Sequence, residues 1–467
     1  ELESDHPMTD EADLQNNPLL QTSGLPPFDR ISAEHVVPAV RHVLAVSAEK
    51  LQTLEAGVEP TWAGTVDKLD DIGRPFEFAW GPVSHLTGVL NSPELRKAHE
   101  TVLGDIVSFS LRVKQSEPVY RALKALRDAS VWQSLDPAQK RIVEKKLLDA
   151  ELAGIALPSD KRERFNEIAR ELSKLSTDFS NHVLDATKAF ELVVTKKEDA
   201  EGLPPSLRQL AAQSYNDSRE GKEPEAGADD GPWRITLDFP SFGPFMQHCR
   251  NGALREQVYR AYVTRASSGE LDNSSLIPRI LRLRREEAKL LGFETFAELS
   301  LAQKMAPDVA AVESMFETLR TASWPYAERD MDDLRALAAA SGASGALNHW
   351  DIAFWSERLR EKRFDFTDEE LRPYFSLERV LDGLFSLLNR LFGVTVRPAD
   401  GTAPVWHRDV RFFDMHDEEG RHIASFYLDP YSRPQNKRGG AWMDDCLARR
   451  RFDGRLQLPV AHLVCNS

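Results

Sequence analysis

The chain has 467 residues, 41% of them hydrophobic, and a formal net charge of −15. That length and apolar content call for two to four domains or one large helical body. The negative balance argues against nucleic acid as a partner, and no apolar run approaches the ~18 residues that a membrane span needs.

The first 20 residues are polar and acidic and read as a mobile arm. Leu25-Pro-Pro-Phe28-Asp29 is an extended entry into long amphipathic segments. Ser32 caps the first of these, over about 33–56, with Glu34 and His35 in its first turn. Further segments of helical period cover about 94–126 and 137–150, and Asp136 before Pro137 is a second cap. The clearest helix lies over 161–188. There Phe165, Ile168, Leu172, Leu175, Phe179, Val183 and Ala186 recur at steps of three and four. Residues 21–215 therefore read as an N-terminal helical domain. Asn216 to Pro232, NDSREGKEPEAGADDGP, breaks the pattern and is expected to be an acidic, Gly/Pro-rich surface loop at a domain boundary.

Beyond it, Trp233–Phe239 alternates as a strand. Helical patterns return over about 252–266, 276–300, 308–340 and 376–393. Val410–Asp414 and Ile423–Leu428 alternate again, joined by a turn at Asp417-Glu-Glu-Gly420, and Leu458–Val464 is a further strand. The fold class is mainly α, a helical body with a small antiparallel β-sheet late in the chain.

Local motifs supply no complete active site. His99-Glu-Thr-Val-Leu103 begins like a zinc motif, but Leu103 stands where a second histidine would have to be, so His99 reads as an ordinary helix residue. No nucleophile elbow or phosphate loop is present. Cys249, Cys446 and Cys465 form no C-x-x-C pair, and such sparse cysteine suits a reducing compartment. His462 and Cys465, three apart on a strand, face opposite sides. Arg449-Arg-Arg451 and the acidic pairs read as solvated surface. Gly439-Gly440 either lets a backbone approach or permits a bend.

Several segments together carry a resemblance. Asn17-Pro-Leu-Leu20 with Leu25-Pro-Pro-Phe28, Leu254–Tyr262 with Arg265–Gly269, His349-Trp-Asp351, Leu371–Leu377, Phe426–Arg433 and Lys437-Arg-Gly-Gly-Ala-Trp-Met443 resemble the oligopeptidase A branch of the thimet oligopeptidase family. The wording of Asp185-Ala-Thr-Lys188 and Leu458–His462 is similar to plant and algal organellar members. The resemblance implies a zinc endopeptidase, a two-lobed helical body around a channel that admits short unstructured peptides, such as spent targeting peptides, and excludes folded proteins. Residues 233–467 would be the first part of its catalytic domain. Residues 437–443 would border the channel, with Gly439, Gly440 and Ala441 facing substrate and Arg438, Phe426 and Tyr427 as further lining candidates. Equally open is that the glycines only shape the sheet, with Trp442 in the core.

The family's H-E-x-x-H helix and the glutamate ligand that follows it come after the segment matching Pro459–Asn466. The zinc ligands have no counterpart in these residues, so the 467 residues alone are expected to hold no zinc and to be inactive. A missing C-terminal half is then an expected partner. The alternative is a non-catalytic peptide-binding or structural protein derived from the family. Chloroplast or mitochondrion is the expected location, with cytoplasm as the alternative.

Overall fold

The computed structural model describes residues 14–219, 226–343, 345–452 and 454–466. Most of the expected N-terminal arm and the centre of the 216–232 segment lie outside the described residues. The body is mainly helical. Helix α1 (Ala33–Gly57) starts where expected, with the Nδ1 atom of His35 3.2 Å from the Ser32 amide nitrogen. Helices α2 (Lys68–Gly73), α3 (Pro75–Val89), α4 (Pro93–Lys114) and α5 (Glu117–Asp128) follow. Helix α6 (Pro137–Leu152) begins with a reciprocal cap, in which the Gln139 amide donates to Asp136 and the Asp136 amide to the Gln139 side chain. The strongest helical pattern becomes α7, one helix of 31 residues (Ser159–Ala189).

Strand β1 (Leu192–Val194) pairs antiparallel with β2 (Trp233–Ile235), and α8 (Pro205–Ser218) packs on β2. The alternation expected to run to Phe239 stops at Ile235, because Asp238 and Pro240 open helix α9 (Phe239–His248) instead. Trp233, Ile235, Leu207, Phe245 and Cys249 form one core there. The flanks of the expected surface loop are anchored in it. Ala226 is buried, the Asn216 side chain bonds both its N–H and its carbonyl, and the Trp233 indole donates to Ala228.

Helices α10 (Gly252–Val263), α11 (Leu276–Leu290), α12 (Phe296–Leu301), α13 (Val309–Ala340), α14 (His349–Phe364), α15 (Asp368–Leu371) and α16 (Leu377–Phe392) lead to the sheet. Its strands are β3 (Thr395–Pro398), β4 (Arg411–His416), β5 (His422–Asp429), β6 (Trp442–Leu447) and, after a hairpin of β7 (Arg450–Phe452) and β8 (Arg455–Gln457), β9 (Val460–Val464). The order is β3-β4-β5-β9-β6. The expected antiparallel sheet is in fact mixed, since β9 inserts between β5 and β6 and runs parallel to β5. Side-chain alternation identifies a strand but not the direction of a partner that is distant in sequence.

Alternation gives the sheet two different faces. Phe412, Tyr427, Val460, His462 and Val464 turn toward α1, α3 and α4, where Leu19, Phe28, Val40, Leu86 and Val89 complete one core. Residues 19–102 and 403–464 thus share a single interior. Phe413, Phe426 and Leu428 turn the other way, onto Leu381, Phe385 and Leu388 of α16.

At the centre of the first face His85 of α3 stacks on His462 of β9, with ring centroids 3.7 Å apart. Phe28, Trp406 and Tyr427 surround the pair. Both histidines are buried. Among the described residues no group bonds Nε2 of His85, either ring nitrogen of His462, or the Tyr427 hydroxyl. Burial pushes His462 down to about 3; burial first, then the charges of His462 and Lys437, lowers His85. Both rings are therefore neutral in the fold, whereas the unfolded chain takes up protons below about pH 6.5. Stability from the pair is complete above that pH and is lost as pH falls toward the folded-state values. From pH 7 to pH 5, His462 alone should cost about 2 kcal/mol of unfolding free energy. Urea titrations at the two pH values measure this, and His462→Phe should flatten the difference; an unchanged slope in that variant contradicts the assignment.

Candidate functional site

Asp429 ends β5 with its side chain fully buried on the sheet's inner face. A carboxylate there needs partners, and the next eight residues supply two at helical-like spacing. Arg433 makes a bidentate pair at 2.7 Å to each oxygen, and the fully buried Lys437 donates at 2.9 Å. The Trp406 indole adds a third donor at 2.9 Å. Burial pushes the Asp429 carboxyl up, but the hydrogen bonds from Arg433, Lys437 and Trp406 outweigh it and hold the acid below its ordinary value. The Lys437 ammonium also reaches the carbonyls of Tyr431 and Cys465, at 2.7 and 2.5 Å. The loop is thereby coiled around one cation and tied to the end of β9.

The segment just after Lys437 is fixed from both sides. The Arg438 amide donates to the Gly88 carbonyl at 2.8 Å, and the Asn91 amide to the Asn436 carbonyl at 2.7 Å. The Asn466 side chain donates to the carbonyls of Arg438 and Gly440. The Arg438 guanidinium lies 5.5 Å over the Trp442 ring, and Trp442 packs against Gly88, where a β-carbon would meet the indole at 3.4 Å. Gly440 has φ +92°, a conformation that favours glycine. A β-carbon at Gly439 or Gly440 would meet nothing within 4 Å, so internal packing demands neither glycine.

The structure places Arg438, Gly439, Gly440 and Ala441 together on an exposed stretch. Arg438, Gly439 and Gly440 line a cavity of about 390 Å³ with Val183, Leu184 and Thr187 of α7. Ser180, Leu184 and Arg438 also belong to a neighbouring cavity of about 510 Å³ that runs past Trp442, Asp444 and His99. Thr187 and Asp238 join the first cavity to another of about 380 Å³ beside His407 and Arg433. Together they make one cleft along α7 from Ser173 to Lys188, about 22 Å at helical rise. That accommodates roughly six or seven extended residues. Phe426 and Tyr427 do not reach it. Phe426 packs toward α16, and Tyr427 sits in the inner core.

The cleft also runs beside a strand edge. β6 bonds to β9 on one side, and among the described residues no strand pairs with its other side. Burial lowers His99 and His407 and raises Asp238 along the cleft. His99 stacks on Trp80 at 4.6 Å as an ordinary helix residue. Trp442 is half-buried between core and cleft. A larger cavity, about 680 Å³, opens beside Trp355 and Arg358 of α14 and shares no residue with the cleft. The polar stripe of α7, Ser173, Ser176, Thr177 and Ser180, was hidden in the sequence behind the apolar periodicity of the same helix. The Asp429-x₃-Arg433-x₃-Lys437 spacing was visible, but nothing in it says that the ions are buried.

The sequence also matches known proteins along most of its length. Residues 245–467 match the sequence model of peptidase family M3, and residues 40–162 that of the neurolysin/thimet oligopeptidase N-terminal domain. The chain belongs to this family of peptidases. It is 52% identical over 97% of its length to the organellar oligopeptidase A, chloroplastic/mitochondrial, of Arabidopsis thaliana, spanning 58% of that relative. It is 51% identical to the probable cytosolic oligopeptidase A of the same plant, spanning 66% of it, and 43% identical to oligopeptidase A of Escherichia coli, spanning 65%. The chain therefore covers roughly three-fifths to two-thirds of the length of these relatives. The family implies zinc. Among the described residues no three His, Cys, Asp or Glu side chains come together to hold a metal ion, and the His85–His462 pair is stacked face to face in the core. These residues do not fit a zinc site.

Asp429→Asn leaves Lys437 buried without its counter-charge and should cost about 3–5 kcal/mol, as expected for half of a buried ion pair. Asp429→Asn combined with Lys437→Met should recover part of that loss. Urea unfolding of these two variants and of Lys437→Met alone tests the coupling, and strictly additive losses would mean that the pair is not the organising contact.

Proposed function

We propose that these residues form the substrate-channel part of an oligopeptidase A-type zinc metalloendopeptidase that takes short, unstructured peptides. The observation that carries the reading is the cleft along α7, bounded by the open edge of β6 and the Arg438–Ala441 stretch. An extended peptide laid there can pair its main chain with β6. The two glycines leave room for it, and Ser and Thr hydroxyls of α7 offer further partners whatever its sequence. In the relatives zinc would polarise the scissile carbonyl and activate water; these residues would bind and align the peptide. The reading is supported by family membership and by the match of nearly the whole chain to oligopeptidases A. Spent targeting peptides are a fitting substrate class, in an organelle or in the cytosol, since the relatives named above include both an organellar and a cytosolic enzyme.

Binding of a fluorescent heptapeptide to the 467-residue chain, followed by anisotropy, tests the site without requiring turnover. Gly439→Val should weaken binding at least tenfold and leave the melting temperature unchanged. Equal binding by the variant would place the peptide elsewhere. Peptide hydrolysis by these residues alone, abolished by chelator and restored by zinc, would overturn the division of labour proposed here.

A further inference from the structure

Helix α16 is apolar over more of its circumference than the sheet covers. At about 100° per residue, Leu381, Phe385 and Leu388 form one stripe, and this stripe packs on Phe413, Phe426 and Leu428. Val380, Leu384, Leu387 and Leu391 form a second stripe beside it, at steps of four, three and four. These four side chains are 46%, 46%, 47% and 62% exposed. The polar residues Glu378, Asp382, Asn389 and Arg390 lie on the remaining arc. A surface helix needs one apolar stripe to reach its core; the second has no role in the described fold. The same outer side of the sheet stays open at β6, where Met443 is 77% exposed.

We propose that the Val380–Leu391 stripe is the docking surface for the part of the family polypeptide that these residues do not match. The relatives supply the argument for that occupant. Nearly all of this chain aligns with them, yet it spans only 58–66% of their length. At least a third of each relative's length thus lies outside the match, and the fold described here leaves a continuous apolar row uncovered. From Val380 to Leu391 the row is about 17 Å long, three helical turns. Its spacing of four, three and four is the ridge pattern that a second amphipathic helix meets. The proposal rests on family membership and not on the peptide-binding reading of the cleft.

The test is to co-produce the 467-residue chain with the unmatched third of the Arabidopsis cytosolic relative and to measure the assembly by size exclusion with light scattering. A one-to-one complex is expected. Leu384→Glu with Leu391→Glu should weaken it at least tenfold while leaving the melting temperature of the 467-residue chain unchanged. A complex indifferent to these substitutions overturns the proposal, as does a homodimer of the 467-residue chain that they dissolve. Should the added third be insoluble by itself, the two are joined in one polypeptide. The joined chain should then bind less of an apolar-surface dye than the 467 residues alone, and the same substitutions should lower its melting temperature by several degrees. Equal dye binding and an unmoved melting temperature would equally overturn it.

Discussion

Asp429 is a carboxylate with no contact with water, and the late part of the fold is arranged to satisfy it. Taking such a charge out of solvent costs several kcal/mol unless donors surround it. Trp406 arrives from the loop before β4, while Arg433 and Lys437 come from the loop that Asp429 itself begins. Because Lys437 also binds the carbonyls of Tyr431 and Cys465, the ion cluster fixes the spacing between the end of β5 and the end of β9. The exposed backbone of Arg438–Ala441 is then held by its neighbours, not by its own side chains. A stretch that must lie open to a ligand cannot be packed down. Here its geometry is set by a buried network one residue away.

The sequence carried much of this in readable form, though unevenly. Helix α7 and the β4–β5 hairpin followed from periodicity and turn chemistry, since both signals are local. The parallel insertion of β9 could not be read, because it depends on a partner more than 30 residues away. Trp233–Phe239 looked like a long strand until Asp238 and Pro240 diverted it into a helix. In the cleft, the sequence left open whether Gly439 and Gly440 admit a ligand or only shape the chain; the empty space beside both is visible only in the fold. Phe426 and Tyr427 lie away from the cleft because β5 is an interior strand with both faces covered, and alternation does not say which strand forms the edge. The hydroxyl stripe of α7 escaped notice because one helix serves two surfaces, and the apolar period masks the polar one.

The sheet concentrates three roles in a small area. Its inner face closes a core with the first helices of the chain, its outer face holds α16, and its free edge at β6 borders the cleft. Edge strands usually need protection from unwanted pairing. Asp444 and Asp445 lie on this one, both exposed, and acidic side chains at an edge discourage pairing with a second copy while leaving the main chain open to a short peptide.

The core shared by residues 19–102 and 403–464 also bears on how the chain is made. The first helices emerge from the ribosome long before the strands that cover them. At about 5–20 residues per second, the interval is on the order of tens of seconds. During that time the surface formed by Phe28, Val40, Leu86 and Val89 has no partner. The apolar positions that end up best protected in the finished protein are thus among those that wait longest for their cover during synthesis.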